Sequence, residues 1–134
     1  MPDNLNLKLI RVFIDKKHWD KLSGCLKVKM VLNLIIDVDG VMTTGQFVYS
    51  KKGKEYKIFG PHDADGLKLI KDKVNIVFVS ADKRGFPISK KRIDDMGYRI
   101  ELIPDGTRYE WIKNKFGFEN TIFIGDSIPD VYII

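Results

Sequence analysis

The sequence has almost no cysteine, no long hydrophobic run and no low-complexity segment, and each absence narrows the class of protein. A single cysteine, Cys25, cannot form an internal disulfide. The longest nearly apolar run, residues 30–36, is far too short to cross a bilayer, so we expect no membrane span. The first residues, MPDNLNLKLIRVF, do not follow the basic, apolar and small-residue order of a secretory signal, so we expect a cytoplasmic protein.

The formal net charge is +5, but it is not distributed as in a nucleic-acid-binding protein. The lysines are scattered through every segment and do not form a stripe with interleaved aromatic residues. We therefore expect no nucleic-acid partner, and an anionic small substrate explains the charge more simply. With 134 residues, the chain has the length of a single domain. Residues 1–29 read as an N-terminal extension without a functional pattern.

Short apolar runs alternate with helix-like segments along the rest of the chain. The apolar runs end at small or acidic residues and cover residues 30–37, 74–80 and 121–126, with a weaker one at 98–102. Helical spacing of apolar residues is found over residues 63–73, 86–97 and 107–117. This alternation predicts an α/β fold, a Rossmann-like open parallel sheet with helices on both faces.

One segment interrupts the alternation directly after the first strand. QFVYS and EYKIF, separated by KKGK, predict a β-hairpin insertion over residues 46–59. Lys51, Lys52 and Lys54 are expected to be solvated at its tip. An apolar two-stranded ribbon is not stable alone in water, so we expect a homo-oligomer in which the hairpin pairs with another subunit.

Acidic residues follow the first and last predicted strands, and a serine ends the second. Because ligands of open α/β sheets bind outside the carboxyl ends of the strands, Asp37, Asp39, Ser80, Asp126 and Asp130 are expected to converge. Four carboxylates in one crevice need a cation to offset their repulsion. Hard oxygen ligands without histidine or cysteine nearby favour Mg²⁺.

This set of residues suits phosphate-ester chemistry. The Ser80 hydroxyl and the backbone N–H of Ala81 can hold a phosphate oxygen. Asp37 can attack phosphorus to form an aspartyl-phosphate. Asp39 can then protonate the leaving oxygen and later deprotonate the attacking water.

Four motifs in order resemble the haloacid dehalogenase (HAD) phosphohydrolase superfamily: DVDGV after an apolar strand, a serine after the next, a basic residue in a later helix, and GDSIPD after the last strand. The segment from DVDGV to residue 73 resembles its capless branch, which contains 3-deoxy-manno-octulosonate 8-phosphate phosphatase and the phosphatase-like domains fused to some acylneuraminate cytidylyltransferases. The resemblance spans residues 30–134. It implies a Mg²⁺-dependent phosphomonoesterase that hydrolyses a phosphorylated sugar or sugar acid, assembled as a homotetramer.

The resemblance also assigns roles to individual residues. It implies that Asp37 is the nucleophile and a metal ligand, and that Asp39 is the acid/base and binds the metal through its backbone carbonyl. Asp126 completes the metal set and Asp130 supports it. Arg108 stands where the family usually has a lysine that bridges nucleophile and phosphate, and it joins Ser80 and Ala81 in binding phosphate. Candidate substrate contacts are Thr43, Gly45, His62 and Asp63.

Some positions depart from the family pattern or carry a simpler reading. The branch commonly has Thr-Gly-Arg where this chain has Ser80, Ala81 and Asp82, and relatives continue beyond Ile134. Asp63 could cap the following helix, and a lone loop histidine such as His62 is more often solvated. A catalytically weak or inactive HAD-fold module for oligomerisation or binding is therefore the alternative function. A receiver-like phosphoacceptor fits less well because both spaced aspartates follow the first strand.

Overall fold

The computed structural model describes residues 32–133, and the predicted N-terminal extension over residues 1–29 lies outside them. The strands of the described part are β1 Leu32–Asp37, β2 Thr43–Ser50, β3 Gly53–Phe59, β4 Val74–Ser80, β5 Arg99–Leu102 and β6 Thr121–Ile124. Its helices are α1 Asp63–Lys68, α2 Phe86–Asp95 and α3 Asp105–Lys115, followed by a 3₁₀ helix over Ile128–Ile133.

Four of the strands form one parallel sheet in the order β5-β4-β1-β6. The two central strands, β1 and β4, run in register from Leu32 opposite Val74 to Asp37 opposite Val79. Ile35, Val77 and Val79 have no exposed surface, as expected for central strands covered by helices on both faces. The predicted parallel α/β sheet is therefore confirmed.

The strand order places a topological switch point at β1. After β1 the chain forms β4 and β5 on one side, and then crosses through α3 to β6 on the other side. Crevices at such points are where open α/β sheets bind their ligands. The carboxyl end of β1, which is Asp37, lies at this position.

The helices flank the sheet through a few apolar side chains each. Ile93 of α2 and Ile112 of α3 are fully buried, and Trp111 and Phe116 pack partly buried against the core around Ile112. Helix α1 is shorter than the predicted 63–73 segment and ends at Lys68, after which the chain continues in hydrogen-bonded turns to β4. Gly66 lies within α1, and glycine lowers helix stability by about 1 kcal/mol relative to alanine, which favours a short helix.

The predicted hairpin is a separate two-stranded antiparallel sheet made of β2 and β3. It begins at Thr43, earlier than the predicted 46, and Ser50 pairs with Gly53 across a two-residue turn. Gly53 has a φ of 116°, a conformation that favours glycine.

Among the described residues, no helix is long and apolar enough to cross a membrane.

Candidate active site

The loop after β1 is closed by its own backbone and by a threonine side chain. The amides of Met42 and Thr43 donate to the carbonyl of Val38. The Thr43 hydroxyl accepts hydrogen bonds from the amides of Gly40, at 3.0 Å, and Gly45, at 3.2 Å. Gly40 has a φ of 88°, and a Cβ at this position would overlap the Asp126 carboxylate. The loop therefore approaches Asp126 closely because residue 40 is glycine.

Three of the predicted acidic residues meet at the carboxyl end of the sheet. Oxygen atoms of Asp37, Asp126 and Asp130 lie within 4.8 Å of one another, with Asp37 and Asp130 buried and Asp126 exposed. Burial raises the pKa of Asp37 to about 7; the Arg108 guanidinium opposes this shift, and the Asp130, Asp39 and Asp126 carboxylates add to it. Partial burial and the nearby Asp130 also raise the pKa of Asp126. The neighbouring carboxylates repel one another, which contributes to the raised pKa values, and a bound cation would offset this repulsion.

Arg108 supplies positive charge to this cluster from α3. It is 1% exposed and donates from Nη1 to Asp130 Oδ1 at 2.6 Å and from Nη2 to Asp37 Oδ1 at 3.3 Å. Its Nη2 also lies 3.1 Å from Asp105 Oδ1. The buried Arg108 Nε has no hydrogen-bond partner among the described residues. A buried donor without a partner is costly, so the ion pairs of the two Nη atoms must offset this cost.

The cluster fits a hard divalent ion. It offers carboxylate oxygens only, the ligand type that Mg²⁺ prefers, at separations that one ion can bridge. Asp130 is held in place by the Ser127 amide and hydroxyl, which both donate to its Oδ2 at 3.0 and 2.7 Å. Any Cβ at Gly125 would overlap the Asp130 carboxylate, so the chain packs closely around this ligand. Asp37, Asp126 and Asp130 are therefore the candidate ligands of such an ion, and their metal-binding role stays a prediction.

Asp39 lies at the same end of the sheet but its carboxylate is used differently. Its Oδ1 accepts a hydrogen bond from Lys57 Nζ at 2.6 Å, and its Oδ2 accepts one from the Ser80 hydroxyl at 2.8 Å. The Asp39 carboxylate is therefore bonded to Lys57 and Ser80 and is not one of the three clustered carboxylates. Metal binding through the Asp39 backbone carbonyl stays a prediction.

Ser80, at the end of β4, is completely buried and is bonded on both sides. It donates its proton to Asp39 and accepts a hydrogen bond from the amide of Asp82 at 3.1 Å. Because its single hydroxyl proton is directed at Asp39, Ser80 would have to exchange this hydrogen bond to donate to the phosphate that Ser80 and Ala81 are predicted to bind. That role stays a prediction.

A second cluster of charges, which the sequence reasoning missed, joins the hairpin to the site. Lys57 lies 2.6 Å from Asp39 and 2.9 Å from Asp82, and Lys54 lies 2.6 Å from Asp82. The expectation that Lys54 is solvated at the hairpin tip is wrong, because its side chain is only 13% exposed, whereas Lys51 and Lys52 are exposed. Partial burial acts to raise the pKa of Asp82, but hydrogen bonds from both lysines and from the Gly85 amide outweigh it and hold that pKa well below its usual range.

The predicted substrate contacts have varied surroundings. Thr43 is buried at 2% exposure and closes the loop after β1, with Gly45 donating to it. His62 is exposed and is the N-cap residue of α1, but its side chain makes no capping hydrogen bond to the helix. Asp63 is the first residue of α1, so the alternative reading of Asp63 as the N-cap is wrong. The substrate-binding roles of these residues stay predictions.

The fold and the placement of the site are those expected of the haloacid dehalogenase class, and comparison with known proteins gives particular relatives. No family model matches the chain. The chain is 31% identical over 110 residues to 3-deoxy-D-manno-octulosonate 8-phosphate phosphatase of Haemophilus influenzae, covering 78% of this chain and 61% of that protein. It therefore spans somewhat less than two thirds of this curated relative.

Solved structures give the same relationship. The Moraxella catarrhalis enzyme of that name, solved with magnesium, phosphate and a KDO molecule, is 25% identical with a TM-score of 0.63, covering 86% of this chain and 67% of its own. The cobalt-bound Haemophilus influenzae enzyme is 29% identical with a TM-score of 0.61, covering 79% and 64%. A Legionella pneumophila protein assigned to the HAD superfamily is 26% identical with a TM-score of 0.62, covering 78% and 59%. The chain therefore has the fold of the haloacid dehalogenase superfamily and is similar in sequence to these members of it.

Proposed function

We propose that this chain is a Mg²⁺-dependent phosphomonoesterase that hydrolyses a phosphorylated sugar or sugar acid through an aspartyl-phosphate. The observation that carries the proposal is the group of Asp37, Asp126 and Asp130 at the switch point of the sheet, with Arg108 bonded to two of them. The relatives named as 3-deoxy-D-manno-octulosonate 8-phosphate phosphatases support the substrate class. Magnesium is proposed because the candidate ligands are all carboxylate oxygens, which suit hard divalent cations.

The proposed reaction has two displacements at phosphorus. An oxygen of Asp37 attacks, a new bond from Asp37 to phosphorus forms, and the bond from phosphorus to the sugar oxygen breaks as Asp39 gives that oxygen a proton. Water then attacks the aspartyl-phosphate, Asp39 takes its proton, and inorganic phosphate leaves with Asp37 restored. The bound ion supplies charge neutralisation for the phosphoryl oxygens and the carboxylates.

Arg108 has a defined part in this scheme. Its guanidinium touches the nucleophile at Asp37 Oδ1, so it also lies where negative charge develops on the transferring phosphoryl group. Arginine keeps the charge of the usual lysine but presents it in a planar fork, which explains how it also binds Asp130.

One observation favours a second candidate, a catalytically inactive HAD-fold module for binding or oligomerisation. Arg108 bonds both buried carboxylates of the cluster, so the chain itself supplies a cation to this site. In such a module, the buried ion pairs would fix the local structure and no ion would be needed.

A phosphate-release assay over a panel of sugar phosphates, with Mg²⁺ or with a chelator, separates the two candidates. We expect hydrolysis of at least one sugar phosphate that stops when the ion is removed. Asp37→Asn should abolish this activity with the fold intact, because the amide has nearly the same shape but is a poor nucleophile. Thermal unfolding by circular dichroism controls for the fold. Undiminished turnover by a folded Asp37→Asn protein contradicts the mechanism, and an inactive wild-type protein that binds no Mg²⁺ favours the module.

A further inference from the structure

The hairpin lysine Lys57 is buried between three acceptors at the edge of the active site. Its side chain is only 2% exposed. Its Nζ lies 2.6 Å from Asp39 Oδ1, 2.9 Å from Asp82 Oδ2 and 2.9 Å from the hydroxyl of Ser89 on α2. An ammonium group has three N–H donors, so these three acceptors account for all of them.

The lysine reaches this position through a close packing contact. A Cβ at Gly85 would lie 2.5 Å from Lys57 Cε and would also overlap Asp82, so the lysine side chain lies directly against the backbone at residue 85. Gly85 is the N-cap residue of α2, and its amide donates to Asp82 Oδ1 at 3.0 Å. The ammonium group is therefore fixed by packing as well as by its hydrogen bonds.

Together with Ser80, Lys57 fixes both oxygens of Asp39. Lys57 on β3 donates to Oδ1, and the hydroxyl of Ser80 at the end of β4 donates to Oδ2. A carboxylate bonded at both oxygens cannot turn freely about its side-chain bonds, although Asp39 is 34% exposed at the mouth of the site. Acid catalysis requires such a group to lie within hydrogen-bond reach of the leaving oxygen.

We propose that Lys57 is a positioning residue for the acid/base aspartate, so that the inserted hairpin forms part of the catalytic apparatus of its own subunit. This inference rests on the proposed phosphatase function. Lys57 acts through Asp39: it sets the direction of the carboxylate that protonates the leaving oxygen. When a catalytic carboxylate of this kind is displaced by about 1 Å, the rate of the catalysed reaction falls by a large factor.

The neighbouring hairpin lysine provides a matched control. Lys54 lies 2.6 Å from Asp82, as close as Lys57 lies to Asp39, and it packs over the ring of Phe47 with 4.1 Å to the ring centroid. Both lysines attach the hairpin to Asp82, but of the two only Lys57 is also bonded to Asp39 within the described residues. Lys54→Met therefore weakens the attachment of the hairpin without removing the bond to the acid/base residue.

The test compares Lys57→Met with Lys54→Met on two esters, a sugar phosphate and 4-nitrophenyl phosphate. An alkoxide leaving group needs a proton in the transition state, whereas nitrophenolate leaves without one, so a misplaced general acid affects only the first ester strongly. The quantity to measure is kcat/KM, because it reports the steps up to departure of the leaving group and not the later hydrolysis of the aspartyl-phosphate.

We expect Lys57→Met to lower kcat/KM for the sugar phosphate by on the order of 10²-fold, and for 4-nitrophenyl phosphate by less than about 10-fold. Lys54→Met should lower both esters by similar, small factors. If Lys57→Met does not fold, Lys57→Met combined with Asp82→Asn reduces the negative charge that Lys57 no longer offsets at residue 82, where Lys54 is the one of the two lysines that still bonds it, and Asp82→Asn alone is its reference. Equal losses on both esters overturn the inference and leave the phosphatase intact. A wild-type protein that hydrolyses neither ester overturns the proposed function, and this inference with it.

Discussion

At the scale of single residues, the chemistry of the site follows from what surrounds each carboxylate. Asp37 is buried with one cation and several like charges nearby, and its pKa is raised to about 7. Asp82 is partly exposed but is bonded by two lysines and an amide, and its pKa is lowered. The pKa of an aspartate is thus raised at residue 37, where burial dominates, and lowered at residue 82, where hydrogen bonds from cations dominate.

The raised pKa of Asp37 predicts that the metal-free protein becomes less stable as the pH rises. Its ordinary pKa is 3.8 and its folded-state pKa is about 7, so between these values the folded chain holds a proton that the unfolded chain has released. The free energy of unfolding should therefore fall from about pH 4 to about pH 7, by on the order of a few kcal/mol. Urea unfolding at several pH values in the presence of a chelator measures this.

Asp37→Asn is the control for this pH dependence. The variant has no group at residue 37 that ionises, so its free energy of unfolding should fall less over the same pH range. Mg²⁺ should restore stability to the wild type at the upper end of the range, because the ion binds the ionised carboxylates. The same pH dependence in both proteins would contradict the assignment to Asp37.

Arg108 should be required for catalysis and for stability. Arg108→Ala is expected to lower kcat/KM by on the order of 10²- to 10³-fold, because a charge beside the transferring phosphoryl group is lost. It also leaves the buried Asp130 without its cation, which costs about 3–5 kcal/mol of stability. Arg108→Lys should recover part of the rate. Activity assays with parallel urea unfolding separate the two effects.

Lys113 offers a matched control on the same helix. It is an exposed residue of α3, one of the other basic residues that could occupy the family's lysine position. Lys113→Ala should leave kcat/KM within a few-fold of the wild type. Full activity in Arg108→Ala together with a large loss in Lys113→Ala would transfer the phosphate-binding role to Lys113.

At the scale of elements, the sequence predicted the buried strands well and the hairpin contacts poorly. β1 and β4 are continuous apolar runs that end at Asp37 and Ser80, and such runs predict central parallel strands whichever side chains later surround them. Lys57 is different, because nothing in its own strand distinguishes it from the exposed lysines of the turn. Its role depends on the packing of β3 beside α2 and Asp39, which local periodicity does not encode.

Gly85 connects the hairpin to α2, and a methyl group there should separate them. Its φ of −93° is accessible to any residue, so the cost of Gly85→Ala is a steric one, from overlap with Asp82, Lys57 and Lys54. We expect a loss of about 1–3 kcal/mol of stability and faster amide hydrogen exchange in β3. Gly106→Ala is the control, since a Cβ at that helical position meets nothing within 4 Å. Equal stability of the two variants would contradict this close packing of Gly85 against Lys57, Lys54 and Asp82.

At the scale of the whole molecule, the hairpin leaves apolar side chains in water. Phe47, Tyr49, Tyr56 and Ile58 are 47–64% exposed, although they lie on paired strands. The sequence alone predicted an apolar ribbon, because its alternation is visible in QFVYS and EYKIF. The number of subunits depends on how the surfaces of several copies fit together, so the sequence pattern of one hairpin does not determine it.

We propose that these side chains make the protein a homotetramer, in which hairpins of neighbouring subunits cover one another and close the sites against water. A two-stranded ribbon is marginal in water by itself, and exposed apolar patches on a small protein mark interfaces. Tyr56→Lys with Ile58→Lys should reduce the assembly to monomers or dimers, measured by sedimentation equilibrium at micromolar concentration. Leu69→Lys changes a side chain that is 65% exposed outside the hairpin and should leave the tetramer intact. A wild-type monomer that is nevertheless an active phosphatase refutes both the assembly and the shared cover.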